Sequence, residues 1–96
     1  MLFTDSQQKQ LLSTARESIQ QGIERGQPLT VEPEPGTVFA TPGACFVTLK
    51  TDNQLRGCIG SLEAYRPLIV DVAENAYAAA FQDPRFAPLT RPELDR

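Results

Sequence analysis

The sequence contains no histidine, and this absence excludes several kinds of site at once. Within these 96 residues neither a Cys-His nor a Ser-His-Asp catalytic relay can form, and no metal can be held by an imidazole. The two cysteines, Cys45 and Cys58, fall short of the ligand set of a structural zinc site. The sequence therefore predicts no metal site, and nothing in it indicates a cofactor.

Long apolar runs and a secretory signal are also missing. The longest stretch without a charged side chain covers residues 35–49 and is interrupted by Pro42 and Gly43, so it cannot span a bilayer. Residues 1–10 lack the basic region and apolar core of a signal peptide. We therefore expect a cytoplasmic protein that does not enter a membrane and whose cysteines are reduced thiols.

Positive charge is in the minority, with 9 Lys and Arg against 12 Asp and Glu and a net charge of −3. Such a chain has no overall attraction to a polyanion, which argues against nucleic-acid binding. Its aromatic residues are not interleaved with basic ones, so we interpret them as core. The composition of 41% hydrophobic and 22% charged residues is that of an ordinary globular chain of one domain.

Two amphipathic helices are predicted. The first covers residues 5–25: Thr4 and Gln7 fit a capping box, Gly26 provides a stop, and apolar residues recur every three or four positions. The second covers residues 67–82, begins at Pro67 and is rich in alanine, so it should lie across one face of a sheet. Its acidic residues Asp71 and Glu74 are expected on the solvated side.

The segment between the two helices is predicted to form an extended connection followed by a β-hairpin. Residues 27–43 contain four prolines, which disfavour regular structure, although a short edge strand at residues 37–40 is allowed. Residues 44–51 and 54–60 are two β-rich runs joined by Asp52 and Asn53, which tolerate the positive φ of a tight turn. The predicted fold class is α/β (α+β), a central sheet containing this hairpin and flanked by two helices.

A two-residue turn also predicts the pairing of the two strands. Thr51 then faces Gln54, Leu49 faces Arg56, and Val47 faces Cys58. One sheet face would carry Cys45, Val47, Leu49, Arg56 and Cys58, and the other Phe46, Lys50, Leu55 and Ile59. Both faces have apolar residues, so we expect the hairpin to be covered on both sides. A bulge near the turn would change this pairing.

The hairpin and the second helix carry a family resemblance. Leu-Arg-Gly-Cys-Ile-Gly at residues 55–60, preceded by Cys-Phe-Val-Thr-Leu-Lys at residues 45–50, resembles the signature of the AMMECR domain family, which includes the AmmeMemoRadiSam system protein A. Similarity continues through Glu-Asn-Ala at residues 74–76, Ala-Ala-Phe at 79–81 and Asp-Pro-Arg-Phe at 83–86. The resemblance implies an α/β fold with helices flanking a sheet, but it implies no particular reaction.

The resemblance also bears on completeness and partners. Family domains are considerably longer, so residues 1–96 look like the N-terminal part of one AMMECR-type domain, without a second domain. An incomplete sheet with an exposed edge would favour a homodimer. The family name further implies an alternative function, that of an interaction module partnering Memo-like and radical SAM proteins, with residues 55–60 purely structural.

Three interpretations of residues 55–60 remain open at this point. In the first, Cys58 and its neighbours fill the core, and Arg56 pairs with an acid such as Glu63. In the second, Arg56 binds a small anionic ligand, Gly57 and Gly60 clear space for it, and Arg85 adds a second cation unless it pairs with Asp83 on the surface. In the third, Cys58 is a catalytic nucleophile and takes as its base Glu63, Asp83 or a group from the further part of a full-length family domain.

Overall fold

The protein is described by a computed structural model that covers residues 3–94. In chain order the elements are helix α1 (Asp5–Arg25), a single 3₁₀ turn (Val38–Ala40), strands β1 (Phe46–Thr51) and β2 (Gln54–Gly60), and helices α2 (Leu68–Phe81) and α3 (Arg91–Leu94). The fold is α+β, as the sequence predicted. No helix within residues 3–94 combines the length and apolar content needed to cross a membrane.

Helix α1 begins and ends where its local chemistry predicts. The Gln7 amide donates to the Thr4 hydroxyl at 3.1 Å, and the Thr4 amide donates to Gln7 Oε1 at 2.9 Å, which completes the capping box. Gly26 adopts a left-handed conformation with φ of 72° and ends the helix. Both predicted boundaries of α1 are confirmed.

The connection at residues 37–40 is a 3₁₀ turn and not the edge strand that the sequence allowed. The Ala40 amide donates to the Thr37 carbonyl at 3.1 Å, and the Thr41 amide donates to the Val38 carbonyl at 3.3 Å. This tight turn buries the Phe39 ring, which is 8% exposed. Local turn bonds and the burial of one aromatic side chain therefore outweigh strand pairing here.

The hairpin has the predicted turn but a different pairing. Asp52 and Asn53 both have positive φ, and Thr51 pairs with Gln54. Beyond Lys50 the pairing shifts by one residue, because Arg56 is an extra residue in a bulge. Leu49 therefore pairs with Gly57 rather than with Arg56, and Thr48 rather than Val47 pairs with Cys58.

This shift corrects the predicted composition of the two sheet faces. Val47 and Leu49 now share a face with Gly57 and Ile59, whereas Cys58 lies opposite Thr48 on the other face. The helices cover only the face of Val47 and Leu49. On the other face the Phe46 side chain is 65% exposed, so within residues 3–94 the hairpin is not covered on both sides.

Helix α2 packs between the sheet and α1. It covers Leu68–Phe81, one residue shorter at each end than predicted, and Pro67 is its N-cap. The buried Ala76 and Ala80 contact Ile19 of α1. Gly57 lies so close to α2 that a Cβ atom there would collide with the Ala79 carbonyl. Small residues on both elements thus let the helix approach the strand closely.

The prediction that the aromatic side chains belong to the core is right for some residues and wrong for others. Phe39 is buried as core, but Phe46 and Tyr65 are 65% and 66% exposed, so the interpretation of these two as core residues is wrong. The Tyr65 ring instead lies against the Arg66 guanidinium, 4.8 Å from its centroid. Exposed aromatic rings therefore occur on the uncovered sheet face and in the loop that follows β2.

Substituting the two glycines of β2 tests this packing. We expect Gly57→Ala to lower the free energy of unfolding by about 3 kcal/mol, because its new methyl group meets the backbone of α2. Gly60→Ala is the matched control: the atoms nearest to its methyl group belong to the exposed Phe46 side chain, which can swing aside, so the loss should stay below about 1 kcal/mol. Urea denaturation of both variants measures the difference, and equal losses would contradict this packing.

Candidate functional site

The Asp83 carboxylate, just beyond the end of α2, closes the outer edge of β2. Its Oδ2 accepts a hydrogen bond from the Cys58 amide at 3.0 Å. Arg85 donates through Nε to Oδ1 at 3.0 Å and through Nη2 to Oδ2 at 2.8 Å. Hydrogen bonds from the Arg85 side chain, followed by those from the Cys58 and Arg85 amides, hold the pKa of Asp83 well below its usual range. The sequence left open whether Arg85 is a free second cation or pairs with Asp83, and the structure shows the pair.

Arg56 reaches away from the hairpin to α3. Its Nε donates to Glu93 Oε2 at 2.6 Å, and its Nη2 donates to the Ala87 carbonyl at 2.7 Å. Glu93, not Glu63, is therefore its acidic partner. The Arg56 side chain is 13% exposed, and its third nitrogen, Nη1, is buried without a hydrogen-bond partner among residues 3–94.

One aromatic ring brings the two arginines together. The Arg56 guanidinium lies 5.7 Å and the Arg85 guanidinium 5.4 Å from the centroid of Phe86. Both distances lie within the range of a cation–π contact. The two arginines of the predicted site, Arg56 and Arg85, are thus neighbours at the outer edge of β2. Arg56 is paired with Glu93 and Arg85 with Asp83.

The Cys58 thiol lies on the sheet face that the helices leave uncovered. It is half-buried and free, and its Sγ is 3.5 Å from the Thr48 hydroxyl oxygen. The raised pKa of Arg85 comes mainly from its hydrogen bonds with Asp83, whose Oδ2 also accepts from the Cys58 amide. Asp83 is a weak base because its pKa is lowered, which makes it a poor proton acceptor for Cys58.

The glycines of the motif contact protein atoms. Gly57 faces the Ala79 carbonyl, and Gly60 lies under the Phe46 ring. Both positions therefore serve the packing of this chain. Of the residues predicted to form one site, the structure brings Arg56, Cys58 and Arg85 to the same edge of the sheet, whereas Gly57 lies on the helix side.

The sequence interpretation missed a buried polar network around Asp71. This carboxylate is fully buried, contrary to the expected solvated position, and accepts hydrogen bonds from the Cys45 amide at 2.9 Å and the Ser61 hydroxyl at 2.7 Å. Arg66 Nε and Asn75 Nδ2 donate to it at 2.8 and 3.1 Å. Burial alone would raise the pKa of Asp71, but the bonds from Ser61, Arg66 and Cys45 outweigh it and lower the pKa.

The same network controls the other thiol. Burial, followed by the hydrogen bond to Asp71, raises the pKa of Cys45 to about 11. One signal in the sequence could have indicated this network: Asp71 and Asn75 lie four residues apart and continue the buried face of α2 that Leu68 and Ala79 also occupy. Glu74, the other acid of α2, is half-exposed and lies 4.0 Å from Arg66.

The Arg56–Glu93 pair makes stability depend on pH. Hydrogen bonds from Arg56, followed by the Thr90 amide, lower the pKa of Glu93 from its ordinary 4.5 to about 2. Its contribution is therefore complete above about pH 4.5 and is lost as the pH falls towards 2. We expect Glu93→Gln to cost about 2 kcal/mol at pH 7 and the difference from wild type to shrink by pH 2, as measured by urea denaturation.

Glu63→Gln is the matched control for this prediction. Glu63 is the exposed acid that the sequence offered as a partner of Arg56, so its replacement should leave stability at pH 7 within about 0.5 kcal/mol of wild type. A Glu93→Gln cost that stays constant down to pH 2 would contradict the ion pair.

The sequence of the chain is similar to those of known proteins. The AMMECR1 family profile matches residues 12–96. A protein of Aeropyrum pernix is 42% identical over 96 residues, which cover 96% of this chain and 41% of that protein. A protein of Thermotoga maritima is 47% identical over 70 residues, covering 68% of this chain and 40% of that protein.

A solved structure agrees with this assignment. The crystal structure of the uncharacterized protein PH0010 from Pyrococcus horikoshii superposes with a TM-score of 0.85 at 31% sequence identity, covering 98% of this chain and 49% of that one. The chain thus spans less than half the length of the relatives that it matches. On the profile match and these relatives, the chain belongs to the AMMECR1 family.

Proposed function

We propose that the protein binds a small anionic molecule at the outer edge of β2, beside Arg56 and Arg85, with the Cys58 thiol next to the bound molecule. One nitrogen atom supports this proposal: Arg56 Nη1 is buried and has no acceptor among residues 3–94. Buried donors in native proteins are almost always satisfied, and an unsatisfied one costs about 1–3 kcal/mol. A ligand oxygen that reaches Nη1, once the side chains that cover this atom move aside, would remove that cost.

The charges around this atom favour an anion as the source of that oxygen. Arg85 shares the Phe86 ring with Arg56, and its side chain is 54% exposed, so a ligand can reach its guanidinium. Arginine presents a planar set of donors that matches carboxylate or phosphate oxygens. The carboxylates Asp83 and Glu93 already hold the two guanidiniums in place, so the ligand would meet a preorganised pair.

Binding is better supported than covalent catalysis at this edge. Asp83, the acid that binds the Cys58 amide, accepts four hydrogen bonds from Cys58 and Arg85 and has a lowered pKa. A nucleophilic thiol needs a base that can take its proton, and such a carboxylate takes protons poorly. The role that we propose for Cys58 is therefore contact with the ligand.

The exposed apolar side chains favour a second candidate, an interaction module. Phe46 is 65% exposed on the uncovered sheet face, and Leu62, just beyond β2, is 91% exposed. Exposed apolar side chains mark a protein contact where they form a contiguous patch. In this alternative the partners are Memo-like and radical SAM proteins, and residues 55–60 have a purely structural role.

Titration with inorganic phosphate and citrate tests the anion site. We expect isothermal titration calorimetry to detect binding of at least one of them and Arg85→Gln to weaken it at least about tenfold, because a charge-assisted hydrogen bond is lost. Arg91→Gln is the matched control: Arg91 is also an arginine paired with one acid, Glu24, and is 55% exposed, but it lies on α3 away from Phe86.

Two results would contradict the anion site. The first is the absence of binding of either anion to the folded wild-type protein. The second is an equal loss of affinity in Arg85→Gln and Arg91→Gln, which would indicate nonspecific attraction between charges.

A further inference from the structure

Two carboxylates hold the arginines of the anion site, and they differ in what else depends on them. Asp83 is 4% exposed and accepts from the Cys58 amide as well as from Arg85, so its withdrawal would leave a backbone donor of β2 without its acceptor. Glu93 accepts from Arg56 and from the amide and hydroxyl of Thr90, just before α3. Of the two carboxylates, Glu93 is therefore the one that can leave while the Cys58 amide keeps its acceptor.

Glu93 binds Arg56 as an external anion would. Arg56 Nε donates to Oε2 at 2.6 Å and Nη2 donates to Oε1 at 3.2 Å, so two bonds join one guanidinium to one carboxylate. A carboxylate or phosphate ligand would use the same donors. The charges of Arg56 and Arg85 are also balanced by those of Asp83 and Glu93, so the site attracts an external anion more strongly when Glu93 withdraws.

The residue before Thr90 gives α3 a fixed point. Leu89 is 8% exposed, and its amide donates to the Ala80 carbonyl of α2 at 2.9 Å. The residues that follow leave the core: Thr90, Arg91 and Pro92 are all exposed. Leu89 is therefore the point about which α3 can turn while the core keeps its packing.

Two ion pairs attach α3 to the rest of the protein. One joins Glu93 to Arg56, and the other joins Arg91 to Glu24 of α1 at 3.3 Å. The side chains of the second pair are 55% and 47% exposed, and exposed pairs of this kind contribute little to stability. A helix of one turn is not stable by itself. The position of α3 thus depends mainly on the bond between Glu93 and Arg56.

We infer that Glu93 is an internal competitor for the anion site: it occupies Arg56 in the free protein, and an external anion that contacts both Arg56 and Arg85 displaces it, so that α3 turns outward about Leu89. This inference rests on the proposed function and adds the regulation of that site. Glu93 contacts two of the three nitrogens of the Arg56 guanidinium, so its withdrawal opens this group to the ligand.

The short connection makes Glu93 a selective competitor. A group attached by a short flexible segment acts at an effective concentration on the order of millimolar. An anion that contacts Arg56 alone would have to exceed this concentration to displace it. An anion that also contacts Arg85 gains a second set of charge-assisted bonds and displaces Glu93 at lower concentration. Glu93 therefore favours anions with enough oxygen atoms for both guanidiniums.

Calorimetric titration of Glu93→Gln with inorganic phosphate and citrate tests the competition. The apparent affinity of wild type is reduced by the fraction of molecules in which Arg56 is already occupied, so we expect Glu93→Gln to bind at least about tenfold more tightly. Glu24→Gln is the matched control, because it removes the same charge and frees the other arginine-paired acid of α3 without touching Arg56. Its affinity should stay within about twofold of wild type.

Hydrogen exchange of wild type measures the movement without a substitution that lowers stability. The Thr90 amide donates to Glu93 Oε1 at 3.0 Å, so saturating phosphate should speed its exchange. The Leu89 amide, bonded to Ala80, should exchange at an unchanged rate. An anion that binds beside a closed α3 would instead slow the exchange of Thr90 or leave it unchanged.

Three outcomes would overturn the inference while the anion site itself stands. The first is that wild type and Glu93→Gln bind phosphate and citrate equally well. The second is that Glu24→Gln gains as much affinity as Glu93→Gln, which would indicate a general effect of charge. The third is that exchange at Thr90 does not speed up in wild type with bound phosphate. Absence of binding to both wild type and Glu93→Gln would contradict the proposed function as well.

Discussion

The buried Asp71 carboxylate is the interaction on which the arrangement of α2 and the sheet depends. A carboxylate without solvent is costly unless its charge is met by hydrogen bonds, and here the amide of Cys45, the hydroxyl of Ser61 and the guanidinium of Arg66 meet it. These donors come from the residue before β1, the residue after β2 and the loop that leads into α2. The ends of both strands are therefore tied to the start of the helix.

A second carboxylate does the same at the other end of α2. Asp83 accepts from the Cys58 amide in the middle of β2 and from the Arg85 side chain. Helix α2 is thus attached to the sheet at both ends, and the alanines between fit closely against Gly57. The segment after α2 follows the outer edge of β2, where Glu93 binds Arg56. Among residues 3–94, the other sheet face, with Cys58 and Phe46, and the outer edge of β1 stay uncovered.

The elements that depend on local chemistry could be predicted from the sequence. The capping box at Thr4, the stop at Gly26 and the turn at Asp52 and Asn53 each involve residues near one another in the chain, and all three are observed. The AMMECR resemblance of residues 55–60 likewise led to the correct family. Sequence was therefore sufficient for α1, α2, the hairpin turn and the family.

Features that depend on distant partners could not be predicted in the same way. The bulge at Arg56 accompanies a pairing with Glu93, 37 residues away, and moves Cys58 to the uncovered face. The partner of Asp71, Cys45, lies 26 residues earlier, so the spacing of Asp71 and Asn75 on α2 could indicate burial but not the partner. Neither long separation has a periodic signal. The proximity of Arg56 and Arg85 on the Phe86 ring is also a product of the tertiary fold.

The claim that the Cys58 thiol lies on an uncovered sheet face beside the anion site, while Cys45 belongs to the structural network, is tested most directly by alkylation. Native protein would be treated with iodoacetamide at pH 8, and the rate at each thiol followed by peptide mapping. With a pKa of about 11, only about one Cys45 thiol in a thousand is ionised at that pH, and only the thiolate reacts. The account predicts that Cys58 is modified at least about tenfold faster than Cys45. Equal rates, or a Cys58 that stays inert until denaturant is added, would contradict it.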